Sequence, residues 1–149
     1  MDYSIGQVSK MYNLSIHALR YYEKEGLLPF VKRTSSGIRK FDESSVSGLK
    51  MVECLKKSGM PLKDIKQFLD WCQEGDSSLV KRRDLFHERK ETVLAQMAEM
   101  QKVLDVINYK CWYYDTAVAE GSEAAVRNKT PPGGVNPLDE SFRIPTEIE

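Results

Sequence analysis

Arg20 stands in the run Leu19-Arg20-Tyr21-Tyr22-Glu23, and Gly26-Leu27-Leu28-Pro29 follows at once. One cation and two aromatics on a short helix, cut off by a glycine, are suited to reading DNA. An arginine guanidinium donates two parallel hydrogen bonds to guanine in the major groove. His17, Ala18 and Arg20 fall near the start or middle of that helix and are the candidates for base edges. One of Tyr21 and Tyr22 is expected on the DNA backbone and the other in the core; helical phase leaves both assignments open. A second group, Lys32, Arg33, Gly37, Arg39 and Lys40, places short basic arms on either side of a Ser-Gly turn. Such cations hold phosphates, which positions a protein on DNA and carries little sequence information.

A third chemistry belongs to cysteine. Cys54, Cys72 and Cys111 are odd in number and widely spaced, which argues against a disulfide framework. The absence of a Cys-x-x-Cys pair, with only His17 and His87 as histidines, leaves no local metal motif, and no cofactor is expected. A zinc site joining Cys54 and Cys72 has too few named ligands to be preferred. Cys54 lies at the edge of the apolar arc Val46, Leu49, Val52 and Leu55, where a thiol is packed yet reachable. Lys50, Lys56 and Lys57 are near in sequence and would favour a thiolate, the form that attacks electrophiles. The competing reading is a small buried hydrophobe. No carboxylate pair, nucleophile with a base, or phosphate-cradling glycine loop points to an enzyme.

The elements that must hold these groups are legible from their caps. Ser4 and Gln7 form a capping box for a first helix, and Ser15 caps a second that runs to about Glu25. Asn13-Leu14 makes the tight turn of a helix-turn-helix. Residues 32–41 read as a small β-hairpin, a wing. Asp42 caps a third helix to about Ser58, and Pro61 begins a fourth in the favoured first-turn position, stopped by Gly75. From about Ser78 to Glu120 apolar residues recur in heptads. Leu79, Phe86, Val93, Met100, Ile107 and Tyr114 take one position; Met97, Leu104, Cys111 and Val118 take the other. The seam is firm from Val93 onward and looser before it, where Arg83 and Lys90 interrupt it. A single helix cannot bury such a stripe, so a homodimer is expected through Val93, Met97, Met100, Leu104, Ile107, Cys111, Tyr114 and Val118. Thr130-Pro131-Pro132-Gly133-Gly134 then breaks any helix.

The fold class that follows is mainly α. Residues 1–75 form a winged helix-turn-helix DNA-binding domain with two accessory helices, and 76–120 a long coiled-coil dimerisation helix. Residues 121–149 form a flexible or partner-docking tail, in which Phe142 and Ile144 are candidates for docking. The 149-residue chain has zero net charge, yet residues 1–41 hold seven basic against three acidic side chains. Local charge within a Debye length is what meets phosphate. No apolar run approaches a membrane span and the N-terminus lacks a signal pattern, so a cytoplasmic location with no membrane partner is the expectation.

Through Leu19–Glu23, Gly26–Pro29, Arg33, Gly37-Ile38-Arg39 and Leu62-Lys63-Asp64-Ile65, in order and spacing, the chain resembles the MerR family of bacterial transcription regulators. The resemblance covers about residues 4–120. It implies an antiparallel coiled-coil dimer, a palindromic operator, a promoter with a long spacer that the protein twists and bends, and RNA polymerase as partner on that promoter. The family often has tyrosines where this chain has Ile38 and Phe41, so two hydroxyl contacts of the family's wing are missing here. Metal-sensing members usually carry a cysteine at the start of the dimer helix, where Ser77, Ser78 and Leu79 stand here. Drug-sensing members usually carry a large C-terminal domain. Cys54 resembles the lone cysteine of the aldehyde- and nitrosative-stress-responsive branch. The alternatives are a regulator of a small apolar ligand lined by Trp71, Trp112, Tyr113 and Tyr114, a metal sensor, and a coiled-coil protein adaptor.

Overall fold

The structure is a computed structural model and describes residues 1–134 and 136–138. The elements run α1 (Ile5–Tyr12), α2 (Ile16–Lys24), β1 (Lys32–Arg33), β2 (Arg39–Lys40), α3 (Glu43–Lys57), α4 (Leu62–Glu74) and α5 (Leu79–Glu120), with a 3-10 turn at Gly75–Ser78. A short 3-10 turn follows at Pro132–Gly134. Two compact units result, Met1–Thr92 and Val93–Glu149.

The first unit begins with a reciprocal cap. Ser4 Oγ accepts from the Gln7 amide, and the Gln7 side chain accepts from the Ser4 amide at 2.8 Å. Asn13 ends α1 in the left-handed region (φ 51°), which asparagine tolerates better than most residues. The Ser9 hydroxyl donates to the Leu14 carbonyl across that turn. Ser15 then caps α2 by accepting from the Ala18 amide at 3.0 Å. The wing is a two-stranded antiparallel hairpin with Lys32 opposite Lys40 and Arg33 opposite Arg39. Tyr3 and Phe41 exchange backbone hydrogen bonds at its base, so the N-terminus adds a bridge to the hairpin.

Asp42 caps α3, its carboxylate accepting from the Ser45 hydroxyl, the Ser45 amide and the Ser44 hydroxyl. Those bonds, the Ser45 hydroxyl first, hold its carboxyl far below the usual aspartate range. The buried Ser45 hydroxyl has one proton, which lies within reach of both the Asp42 carboxylate and the Phe30 carbonyl, so its donor is satisfied. Val8, Leu19, Leu27, Phe41, Leu49, Val52 and Ile65 form the centre of a core drawn from α1 to α4 and the loop after α2. Gly48 lets α3 meet the Phe30 ring: a Cβ there would stand 2.4 Å from it. Gly48→Ala should therefore lower stability. Overpacking costs about 1–3 kcal/mol, and the helix-propensity gain returns only about 1 kcal/mol. A melting temperature equal to or above that of the parent chain would contradict this.

Two features differ from the sequence expectations. Pro61 is the N-cap of α4, one position before the first helical turn, and offers no side-chain cap bond. The first unit does not end at Gly75. Leu85 packs against its core and Phe86 meets Phe68 edge-on at 5.2 Å between ring centres, which carries the unit to Thr92. Arg82 supports this junction, donating to the Gly75 carbonyl at 2.8 Å and to the Ser78 hydroxyl at 3.0 Å. A cation on the last carbonyls of α4 is favoured by the helix dipole.

In the second unit the stripe from Met97 to Val118 lies open on a 42-residue helix. The residues that follow α5 pack back on it in part. Gly121 (φ 78°) reverses the chain, Val126 and Ala117 are buried, and Lys129 pairs with Glu120. The segment after α5 therefore has a small packed start, which the polar composition of 121–129 conceals. Phe142 and Ile144 lie outside the described residues.

Candidate nucleic-acid interface

Helix α2 presents two faces. Leu19 and Tyr22 are buried, while His17, Arg20 and Tyr21 are exposed and Ala18 is half-buried. Tyr21 is 46 % exposed and Tyr22 only 3 %, which assigns the aromatic pair. Tyr22 is therefore the core member of the pair: its ring is buried, and its hydroxyl accepts from the Lys56 ammonium. Lys56 also lies 5.1 Å from the centre of that ring. Tyr21 keeps an exposed phenol beside Arg20.

The wing carries its basic residues as expected, but each is ion-paired within the protein. Lys32 faces Asp42 at 3.5 Å and Lys40 faces Asp2 at 2.8 Å, pairs exposed enough to be exchanged for phosphate at little cost. Arg33 and Arg39 both reach back to Glu23, near the end of α2. Arg33 donates to Oε1 at 2.9 Å, and Arg39 donates to Oε2. Arg33 also donates to the Gly37 carbonyl at 2.9 Å. Partial burial pushes the Glu23 carboxyl upward, but hydrogen bonds and charge from Arg39 and Arg33 outweigh it and hold the carboxyl below its ordinary value. Gly37 serves the turn through its positive φ (81°) and its carbonyl. Phe41 is fully buried and Ile38 is exposed at the hairpin tip. Position 41 therefore faces the core, and of the two positions only 38 is open to solvent.

The motif Leu19–Glu23 by itself gives Glu23 no role. Its partners lie 10 and 16 residues away, beyond any helical spacing. The one available signal was an acid near the end of a helix, where the dipole disfavours it.

Among the cysteines, Cys54 is exposed on α3, and Cys72 and Cys111 are also exposed. The expected lysine surroundings of Cys54 are reduced, because Lys56 is spent on Tyr22. Among the described residues no group of three or more His, Cys, Asp or Glu is arranged to hold a metal ion. No helix among them is long and apolar enough to cross a membrane. Trp71 lines an open groove of about 470 Å³ with Met60, Asp64, Lys81, Leu85 and Arg89 in the first unit. Trp112, Tyr113 and Tyr114 belong to the second unit.

A two-helix reader with an exposed arginine, followed by a basic hairpin and two packed helices, defines a winged helix-turn-helix DNA-binding protein. Residues 3–71 match the family described as MerR HTH family regulatory protein, and residues 46–108 match that described as MerR, DNA binding. An uncharacterised HTH-type transcriptional regulator of Haemophilus influenzae is 39% identical over 126 residues, 85% of this chain and 93% of its own. Among solved structures, HiNmlR, a MerR family regulator lacking the sensor domain and bound to promoter DNA, superposes with a TM-score of 0.75. It is 38% identical, over 84% of this chain and 99% of that one. A MerR family regulator from Bacillus thuringiensis gives 0.69 at 44% identity, covering 74% of this chain and 97% of that one. The chain belongs to the MerR family of DNA-binding transcription regulators.

Proposed function

We propose that this regulator works as a homodimer on a palindromic promoter operator, distorts the long spacer between the promoter elements for RNA polymerase, and is switched by electrophiles at Cys54. The observation that carries the DNA reading is the exposed face of His17, Arg20 and Tyr21 set beside the basic hairpin of Lys32, Arg33, Arg39 and Lys40. Arg20 reads a base edge in each half-site. Tyr21 and the wing cations hold the backbone and fix the register. A dimer places two such readers at symmetric half-sites. Bending or twisting the intervening DNA costs about 1–10 kcal/mol, which two sets of phosphate contacts offset. The relative bound to promoter DNA supports this reading.

The signal enters at α3. Cys54 is exposed, as a thiol that meets small electrophiles must be, and sits on a helix that packs into the DNA-binding core through Leu49, Val52 and Leu55. Its thiolate adds to an aldehyde carbon, the resulting alkoxide taking a proton from water to give a hemithioacetal, or takes the nitroso group of a nitrosothiol, whose own thiolate leaves; the added bulk shifts α3 against its neighbours. The test is transcription from the protein's own promoter on exposure to formaldehyde. The parent chain should respond several-fold and Cys54→Ser should not respond, with DNA affinity unchanged. Equal induction in both chains would contradict the sensing role and leave the DNA reading intact.

A further inference from the structure

The four wing cations are not equivalent. Lys32 and Lys40 make single, solvent-exposed pairs with Asp42 and Asp2. Arg33 and Arg39 share one carboxylate, an oxygen each, and both Glu23 and Arg39 have side chains only 22 % exposed. The position of Glu23 is electrostatically unfavourable on two counts. It is the penultimate residue of α2, where the helix dipole repels an anion. It also sits on the unit that meets a polyanion, where each negative charge works against binding. An acid kept under both penalties is accounted for by what it holds: both strands of the wing, tied to the end of the reading helix. Resting on the DNA-binding reading above, we propose that Glu23 is a positioning residue for DNA recognition, a clamp that locks wing and reading helix into one body and trades phosphate affinity for register.

The consequence is a division of labour. Clamped, the triad of Glu23, Arg33 and Arg39 contributes one net positive charge, with its guanidiniums held in fixed directions. The Arg33 bond to the Gly37 carbonyl and the Thr34 bonds to Ile38 stiffen the hairpin that carries them. Phosphates at the operator must then meet the arginines where the clamp leaves them, at a set distance from the base read by Arg20. Unclamped, the same arginines carry two net charges on long mobile stems and bind phosphate wherever it lies. Non-specific affinity rises with that charge, and preference for the operator falls.

The test uses the full chain and two duplexes of equal length, one from the protein's own upstream region and one scrambled, titrated over a range of salt. Glu23→Gln keeps the shape of the side chain and removes its charge. It should steepen the dependence of log affinity on log salt for the scrambled duplex by about one. The ratio of upstream to scrambled affinity should fall about tenfold, within the range of one lost base contact. Adding Arg33→Gln to the same chain should return the slope to its parent value. An unchanged slope on the scrambled duplex overturns the clamp. So does an equal loss on both duplexes with a lowered melting temperature, the mark of a structural role. If the parent chain shows no preference for upstream DNA, the operator reading fails, while the slope on scrambled DNA still tests the clamp independently.

Discussion

Aspartates at Leu104 and Ile107 should convert the protein to a monomer and reduce its operator affinity by about a thousandfold. Both side chains lie on the stripe of α5 that a single chain leaves open, with Met97, Met100, Leu104, Ile107, Tyr114 and Val118 between 46% and 82% exposed. Contiguous apolar surface of this kind marks an interaction site, and its seven-residue spacing is the pattern that packs against a second helix in the proposed dimer. Two charges in the seam of the proposed dimer would each have to be desolvated without a counter-ion, which should break it. A monomer reads one half-site, so its affinity should drop from the 10⁻⁸–10⁻¹¹ M typical of specific sites to roughly the 10⁻⁴–10⁻⁶ M of non-specific binding. Sedimentation gives the oligomeric state and anisotropy the affinity. A dimer that survives both substitutions, or a monomer that binds as the parent does, would contradict the account.

Phe41→Ala should destabilise the first unit by about 3–5 kcal/mol, the usual cost of emptying a buried aromatic site. Phe41 has no exposed surface, and it joins three parts of the reader. Its backbone bridges Tyr3, its side chain enters the core with Leu19 and Leu49, and Asp42 beside it caps α3. A cavity here loosens the wing base as well as the core, so operator binding should weaken in step with stability. Urea unfolding measures the first effect and anisotropy the second. A loss below about 1 kcal/mol, small for a core truncation, would mean that the position is not the keystone described.

The local parts of this molecule were legible because their causes are local. Ser4 with Gln7, Ser15 and Asp42 announce helix starts within three residues of themselves, and each cap is formed. The basic arms around Gly37 announce a hairpin through one turn, and the strands pair as Lys32 with Lys40. What escaped depends on distant partners. Tyr21 and Tyr22 are adjacent and chemically identical, and the core formed by α3 and α4 decides between them. Glu23 meets arginines across the turn after α2, a geometry that helical spacing cannot express. Leu85 lies off the heptad positions because the first turns of α5 serve their own domain before the seam begins. Val126 is buried by a chain reversal at Gly121 inside a segment that reads as polar tail.

The central claim is that one dimer places two Arg20-bearing helices on two symmetric half-sites. It is tested most directly by equilibrium binding of the parent chain to a duplex from its own upstream region, intact and with one half-site scrambled. One dimer should bind each intact duplex, with affinity that falls steeply with salt and a loss of about a hundredfold or more when either half-site is scrambled. Equal affinity for the intact and half-scrambled duplexes would contradict it.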